Sequence, residues 1–148
     1  MTSENLDDKD ILLIEELSKD AKLSEQKLAR KTGIAMTTVH NHLRKLRELG
    51  VIKRYTLRLD YTKLGRPLVA YVLVKAMPGV SQKEILEQIA KIPRVCEVAM
   101  ITGEFDIIFK ARVASMTELN EIVVQKLRMQ KNIGDTRTMI SYETIEID

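Results

Sequence analysis

The sequence predicts an α+β fold in which a unit of three helices precedes a unit with the order βαβ–βαβ. Three observations lead to it: short helical patterns before residue 51, a near-repeat of strand and helix patterns after residue 67, and a change of charge between the two regions. The βαββαβ order is the ferredoxin-like plan, a four-stranded antiparallel sheet with both helices on one face. We therefore expect a three-helix unit at 1–52, a strand and hinge linker at 53–67 and a βαββαβ unit at 68–148.

The first two helices are marked by their N-terminal caps. Asp7 is a typical N-cap, and Asp10 follows in the first turn, where the helix dipole favours an acid. Ser24 caps the second helix, which we expect to end near Gly33. The first helix should bury an apolar stripe at helical spacing: Ile11, Ile14 and Leu17, with Leu13 beside them.

The third helix is predicted from Ala35 to Leu49, with Gly50 as its C-terminal stop. At 100° per residue, one face is apolar and the opposite face is polar and mostly basic. The apolar face consists of Val39, Leu43 and Leu46. The exposed face consists of Thr37, Asn41, Arg44 and Glu48, with Thr38 and Lys45 on one flank and His40 and Arg47 on the other.

The linker begins with a strand-like pattern. Residues 51–59 alternate Val, Ile, Tyr and Leu with polar residues, which is typical of a strand, and the turn-rich stretch 60–67 indicates a hinge.

The second unit repeats one pattern twice. Strands are expected at 68–77, 95–101, 106–113 and 137–147, and capping boxes at Ser81 and Ser115 begin its two helices. Because both helices cover one face of the sheet, the other face, with Tyr71 and several Val and Ile, is expected to pack on a partner.

Charge is unevenly distributed along the chain. Residues 1–26 hold 3 Lys or Arg and 8 acids, residues 27–66 hold 11 and 2, and residues 67–148 hold 10 and 11. A basic block of this kind is typical of a polyanion-binding surface, although a solvated face without a partner has the same composition. The longest apolar run, 68–74, is too short to span a bilayer, no export signal is recognisable, and one cysteine favours a reducing compartment, so we expect a cytoplasmic protein with no membrane partner.

A tight turn between the second and third helices and a basic face on the third are typical of a helix-turn-helix DNA reader. Arg44 suits guanine, Asn41 suits adenine, and Thr37 or Thr38 suits a thymine methyl group or a phosphate. Backbone phosphates are the expected partners of the remaining cations, Lys27, Arg30, Lys31, Lys45, Arg47, Lys53 and Arg54.

The chain resembles the Lrp/AsnC family of leucine-responsive or feast/famine regulators over nearly its whole length. The resemblance is carried by LDDKDI at 6–11, VHNHLRKLRELGVI at 39–52, LDYTKLG at 59–65 and GEFD at 103–106, in the family's order. It implies a transcriptional regulator that binds double-stranded, pseudo-palindromic DNA, dimerises through both domains and assembles further, commonly as an octamer of four dimers. It also implies action on the transcription machinery and a response to amino acids or related metabolites bound between C-terminal domains.

The resemblance also assigns residues. It places the recognition helix at Met36 to Leu49, so that Met36 and His40 join the predicted DNA contacts; the family often has Arg at position 40 and Ser at the cap position that Ala35 occupies here. The expected effector residues are Gly103, Asp106, Thr136 and Thr138. Asp106 suits an ammonium group and a glycine loop suits a carboxylate, although Gly103 can equally make a turn and Asp106 begin a strand.

Other functions find less support in the residues. No metal site is expected, because His40 and His42 diverge on a helix, and Cys96 is expected to be buried and inert. An enzyme would need more than Glu104 and Asp106, so we expect no catalytic residues and no cofactor beyond an amino-acid effector. RNA binding through the sheet would need aromatic and basic strands, and a pure oligomerisation module would leave the basic block unexplained.

Overall fold

The computed structural model describes residues 6–147, apart from the side chain of Val124. The chain divides into two compact units, and the boundary along the sequence lies between Arg58 and Leu59. The first unit contains α1 (Asp8–Lys19), α2 (Glu25–Thr32) and α3 (Met36–Glu48). The second contains β1 (Leu68–Ala76), α4 (Gln82–Ile89), β2 (Val95–Met100), β3 (Ile107–Val113), α5 (Met116–Asn120), which continues as a π-helix (Glu121–Arg128), and β4 (Ile133–Ile140). None of the helices within 6–147 is long and apolar enough to cross a membrane.

The three-helix unit closes around a small apolar core. Its buried side chains come from all three helices: Leu13, Leu17, Leu28, Val39, Leu43 and Leu46. The predicted stripe of α1 is wrong in one position, since Ile11 is 45% exposed and the buried positions are Asp10, Leu13 and Leu17. The reason is that α1 turns the acid of its own capping box toward α3, which carries Ile11 out to solvent.

The turn between α2 and α3 is short and sharply defined. Gly33 adopts φ +72° and ends α2, a left-handed conformation that glycine adopts without steric cost. Ala35 precedes α3 without a side-chain cap hydrogen bond, so the first backbone N–H groups of α3 lack the partner that a serine would supply.

The strand predicted at 51–59 is not formed. Residues 53–60 are exposed and form no regular secondary structure, with no ladder of hydrogen bonds to another described strand. The alternation of side chains is present in the sequence, but a strand also needs a neighbouring strand, and the described part of this chain supplies none at that place.

The second unit has the predicted ferredoxin-like topology. The strand order is β2-β3-β1-β4, all neighbours are antiparallel, and Val72 of the central β1 lies between Phe109 of β3 and Thr138 of β4. Two helical segments cover one face, and the core between helices and sheet includes Val72, Val74, Ile85, Ile89, Ile107, Phe109, Leu119 and Leu127.

The last strand lies earlier in the chain than 137–147. β4 runs over Ile133–Ile140, because Ile133 and Thr136 turn inward when it pairs with β1. Beyond it, Ile145 and Ile147 are 79% and 91% exposed, so the apolar alternation of this end is not used in a strand.

The other face of the sheet is covered by neither α4 nor the segment formed by α5 and the π-helix. Tyr71, Leu73 and Ile108 are half-buried there, because strand residues alternate between faces and their neighbours Val72, Val74, Ile107 and Phe109 face the helices. Glu146 forms ion pairs with Lys110 and Arg112 of β3. Cys96, expected to be buried, is exposed on the edge strand β2.

Candidate nucleic-acid interface and ligand cleft

The polar face of α3 is free of the core and points to solvent. Thr37, His40, Asn41, Arg44 and Arg47 are exposed, whereas the opposite face is buried, as the helical periodicity predicted. The Arg44 side chain is 62% exposed, and its nearest carboxylate oxygen, from Glu48 one turn along, lies 3.8 Å from Nε. An exposed pair at this distance holds Arg44 weakly, so its guanidinium can turn to another partner.

His40 is connected to α2. Its Nδ1 lies 3.0 Å from Oε2 and 3.2 Å from Oε1 of Glu25, so the ring is held on the side that faces α2. This contact leaves Nε2 as the ring nitrogen directed away from Glu25.

A buried carboxylate joins α1 to α3. The Asp10 side chain is fully buried; Lys45 Nζ donates to Oδ2 at 2.6 Å, and His42 Nδ1 lies 2.7 Å from Oδ1. The Asp7 backbone N–H also donates to Oδ2 at 3.0 Å. Burial alone would raise the pKa of Asp10, but the hydrogen bonds from Lys45, the Asp7 backbone and His42 outweigh it and lower the pKa to about 2.

The same cluster also contains three side chains of types that can bind a metal ion. Ligand atoms of Asp7, Asp10 and His42 lie within 4.8 Å of one another. The Lys45 ammonium already contacts the Asp10 carboxylate, and a second cation there would meet its repulsion, so the donor set fits an ion pair better than a metal ion. His40 lies apart from this cluster, on Glu25.

The remaining predicted DNA contacts are in different settings. Met36 is 54% exposed at the start of α3, and Thr38 is half-buried. Lys45 is committed to Asp10 and lies on the α1 side of α3. Lys53 and Arg54 are exposed at the start of the segment 53–60. Together with residues at the end of α1 they line a cleft of about 330 Å³.

The predicted effector residues do not form one cluster. Gly103 makes an exposed turn at φ +118°. Asp106 directly precedes β3, and both its oxygens are in use: Oδ2 accepts from the Ala76 backbone N–H and Oδ1 from Gln82 Nε2, each at 2.8 Å. This carboxylate therefore ties β3 to the end of β1 and to the first turn of α4.

Thr138 lines a cleft beside the π-helix, and Thr136 is hydrogen-bonded to Arg128, another residue of the lining. Thr136 is buried, and its Oγ1 accepts a hydrogen bond from Arg128 Nε at 2.8 Å. The cleft has a volume of about 170 Å³ and does not include the Gly103 turn; its lining is Met116, Leu119, Asn120, Val123, Arg128 and Thr138.

Sequence reasoning missed Arg128 and the partners of Asp10. Arg128 ends a helical pattern and in the sequence resembles a solvated cation. Its contact with Thr136 was missed because the last strand was expected at 137–147, whereas β4 runs over Ile133–Ile140. Asp10 was recognised as an acid of the first turn, whereas Lys45 lies 35 residues further along.

Both units match described protein families. Residues 6–53 match the winged helix-turn-helix DNA-binding family, and residues 69–148 match the Lrp/AsnC ligand binding domain. A relative from Pyrococcus furiosus, an uncharacterized HTH-type transcriptional regulator, is 44% identical over 146 residues and 97% of either chain. The HTH-type transcriptional regulator FL11 of Pyrococcus horikoshii is 35% identical, over 94% of this chain and 91% of its own.

Solved structures agree with the fold described above. LrpC of Bacillus subtilis superposes with a TM-score of 0.86 at 26% identity, covering 97% of this chain and 99% of its own. A transcriptional regulator of Neisseria meningitidis, solved in complex with L-Met, has a TM-score of 0.89 at 20% identity, which supports the fold alone, over 97% and 94% of the two chains. The chain therefore belongs to the Lrp/AsnC family and is a DNA-binding transcriptional regulator with a C-terminal ligand-binding domain.

Proposed function

We propose that this regulator binds pseudo-palindromic double-stranded DNA as a homodimer, and that an amino acid or a related metabolite modulates the binding. The observation that carries the proposal is the exposed polar face of α3, with Asn41 and Arg44 at its centre and a fully apolar face behind it. A helix of this kind, after a tight turn, fits the major groove and presents side chains to base edges.

Individual contacts follow from side-chain chemistry. Arg44 would bind guanine O6 and N7, Asn41 would bind adenine, and Thr37 would contact a thymine methyl group or a phosphate. Arg47, Lys53 and Arg54 would bind phosphates and supply affinity that falls with salt. Met36, Thr38, His40 and Lys45 complete the proposed set, with Lys45 the least suited because of its bond to Asp10.

The partner chain is proposed to be a second copy of this protein. The sheet face with Tyr71, Leu73 and Ile108 is apolar at its centre and lies opposite the face that the helices of this unit cover, which supports pairing of like surfaces about a two-fold axis. Two recognition helices would then reach half-sites about one DNA turn apart. Further assembly into an octamer, contact with the transcription machinery and a cytoplasmic location belong to the same proposal.

The effector is proposed to bind the C-terminal unit. The cleft beside the π-helix offers apolar side chains, and the terminal nitrogens of Arg128 are directed to no acceptor within the described residues, which suits a carboxylate on a short aliphatic body. Gly103 and Asp106 remain proposed as a second contact region. The related regulator solved with L-Met makes an amino acid the first ligand to try. We propose no cofactor and no enzymatic activity, since the relatives are named as regulators.

One selection experiment tests the whole proposal. The purified chain is used to select bound duplexes from random DNA, with and without each of the twenty amino acids. A palindromic motif with half-sites about one turn apart is expected, and its enrichment should change with at least one amino acid. Recovery of random sequences by the parent protein, or a motif equally enriched by a variant with Asn41→Ala and Arg44→Ala, would contradict recognition by α3.

A further inference from the structure

The Asp10 carboxylate does more than bury a charge, because it meets α3 at two positions. Lys45 Nζ contacts one oxygen at 2.6 Å and His42 Nδ1 the other at 2.7 Å. His42 and Lys45 are three residues apart, so they lie one above the other on the flank of α3 that faces α1. We propose that Asp10 is a positioning residue for DNA recognition, which holds α3 at the rotation and height that its base-reading face requires.

Two contacts on one rigid group restrict motion more than one contact does. The pair fixes the rotation of α3 about its axis, because both anchors share one flank, and it fixes sliding along the axis, because they are separated by about one turn. The carboxylate itself is held from α1, where Oδ2 accepts the Asp7 backbone N–H and the Asp7 side chain accepts the Asp10 backbone N–H. Both ends of the connection therefore belong to helices.

Burial keeps this connection insensitive to solvent and salt. Asp10 is fully buried, and the side chains of His42 and Lys45 are 17% and 38% exposed. Charge-assisted hydrogen bonds with a buried partner are short and strong, and salt screens them far less than it screens exposed pairs. The contrast is the Arg44–Glu48 pair, which is exposed on both sides at 3.8 Å.

The anchors lie next to the proposed readers in the chain. Asn41 precedes His42, and Arg44 precedes Lys45, so each reader is turned about 100° from an anchor on the same helical turn. Bidentate base contacts tolerate displacements of about 0.5 Å, and a small rotation of α3 moves the ends of long side chains further than that. Loss of the anchor should therefore weaken reading although no DNA contact has been removed.

The inference rests on the proposed recognition by α3, and it changes the role of one residue. As a phosphate contact, Lys45 would contribute about 0.9 to the slope of log K against log salt concentration. As an anchor, it would contribute to affinity and leave the slope unchanged. The salt dependence of binding therefore separates the two roles.

The test measures binding of the full chain and its variants to the selected duplex. The single variants change Asp10, Lys45, Glu16 and Arg44, and the double variant combines Asp10→Asn with Lys45→Met. Asp10→Asn and Lys45→Met break the connection. Glu16→Gln is the control: it removes one negative charge from the same helix and breaks the pairs of Glu16 with Lys19 and Lys31, which do not involve α3. Binding is measured at several salt concentrations, at a temperature where circular dichroism shows every variant folded.

We expect Asp10→Asn and Lys45→Met each to raise the Kd about tenfold with an unchanged salt slope. The Kd of the double variant should not exceed the higher of the two single-variant Kd values, because both changes break the same connection. Glu16→Gln should keep the parent Kd even though it lowers the melting temperature.

Three results would overturn the inference. The first is a salt slope for Lys45→Met that is reduced by the contribution of about one phosphate, and the second is a lower melting temperature with an unchanged Kd in both single variants. The third is a Kd of the double variant that rises by the product of the two single increases. Arg44→Ala separates this failure from that of the proposed function. If Arg44→Ala weakens binding while Asp10→Asn does not, recognition by α3 stands and only the positioning role falls.

Discussion

Arg44 combines two properties that a base-reading side chain needs. It is 62% exposed, so little must be removed for DNA to reach it, and its only acidic neighbour among the described residues is the weakly held Glu48. Its guanidinium can then bind guanine O6 and N7 together through two N–H groups held in one plane, a geometry that the flexible ammonium of a lysine does not fix.

Replacement of Arg44 by Ala should weaken binding to the selected sequence by about 1–3 kcal/mol and relax the preference at one base position. Binding curves on the selected duplex and on all single-base variants of it measure both effects. A loss of the same size on every sequence would instead make Arg44 a phosphate contact.

Asp10 links stability to pH. Its pKa is lowered from 3.8 to about 2 in the folded protein, so the folded state favours the charged form and the stabilisation is present above pH 4. As the pH falls from about 4 to 2 the carboxylate is protonated and this stabilisation is lost, an expected decrease of about 2 kcal/mol in the free energy of unfolding of the N-terminal unit.

Chemical denaturation between pH 2 and pH 6, followed through NMR signals of the first unit, measures this dependence. Asp10→Asn should be less stable at pH 6 and should show a flatter profile over the same range. An equally steep profile in Asp10→Asn would assign the acid sensitivity to other carboxylates.

The residue scale also shows where sequence reasoning succeeds. The exposure of Asn41 and Arg44 and the burial of Leu43 follow from a period of 3.6 within one helix, and all three were predicted correctly. The partner of Lys45 was not predicted, because a flank residue can face solvent or another helix, and only the packing of α1 on α3 decides between them.

At the scale of elements, strand limits depend on partners that the local pattern does not contain. Residues 137–147 alternate well enough for a strand, yet pairing with β1 selects Ile133–Ile140, in which Ile133 and Thr136 are buried. The helix limits were predicted more closely, because caps such as Ser24 and Gly33 are local signals. The contact of Arg128 with Thr136 was missed, since Thr136 lies in the part of β4 that precedes the predicted strand.

Two neighbouring cations, Lys53 and Arg54, lie in the first unit at the start of the exposed segment 53–60. Lys53 and Arg54 are exposed, and no carboxylate among the described residues pairs with either. Replacing one of them by Ala should reduce the salt slope of DNA binding by about 0.9, the contribution of one phosphate. Titrations between 50 and 200 mM salt measure it, and an unchanged slope would show that the side chain points away from DNA.

The cleft beside the π-helix makes a charge-specific prediction. Arg128→Gln should weaken binding of an amino-acid effector about tenfold or more, because a charge-assisted hydrogen bond to its carboxylate is lost. Lys126→Gln is the matched control, since Lys126 is an exposed cation of the same π-helix and does not line the cleft. Calorimetry on the parent and both variants measures the effect, and equal affinities would move the site elsewhere.

At the scale of the whole molecule, charge and hydrophobicity are divided between the two units. The basic block lies almost wholly in the unit with the recognition helix. The last 82 residues carry nearly balanced charge, and the sheet face opposite the helices of that unit is apolar at its centre. The proposed DNA-binding face of α3 and the proposed dimer face of the sheet belong to different units. We therefore expect that DNA contacts and dimer formation can be altered by separate substitutions.

The proposed dimer places the apolar sheet face in an interface, so a charge there should separate the copies. Ile108→Glu puts a carboxylate beside Tyr71 and Ala99, in a hollow of about 80 Å³ whose lining also includes Glu97 and Lys110. Pairing with a second copy would take this carboxylate out of water, which costs free energy even beside a lysine. Sedimentation should show a shift toward monomer. Affinity for the palindrome should fall toward that for a single half-site, while half-site binding is unchanged. Met129→Glu is the control, since Met129 is 77% exposed, and an oligomeric Ile108→Glu protein would place the interface elsewhere.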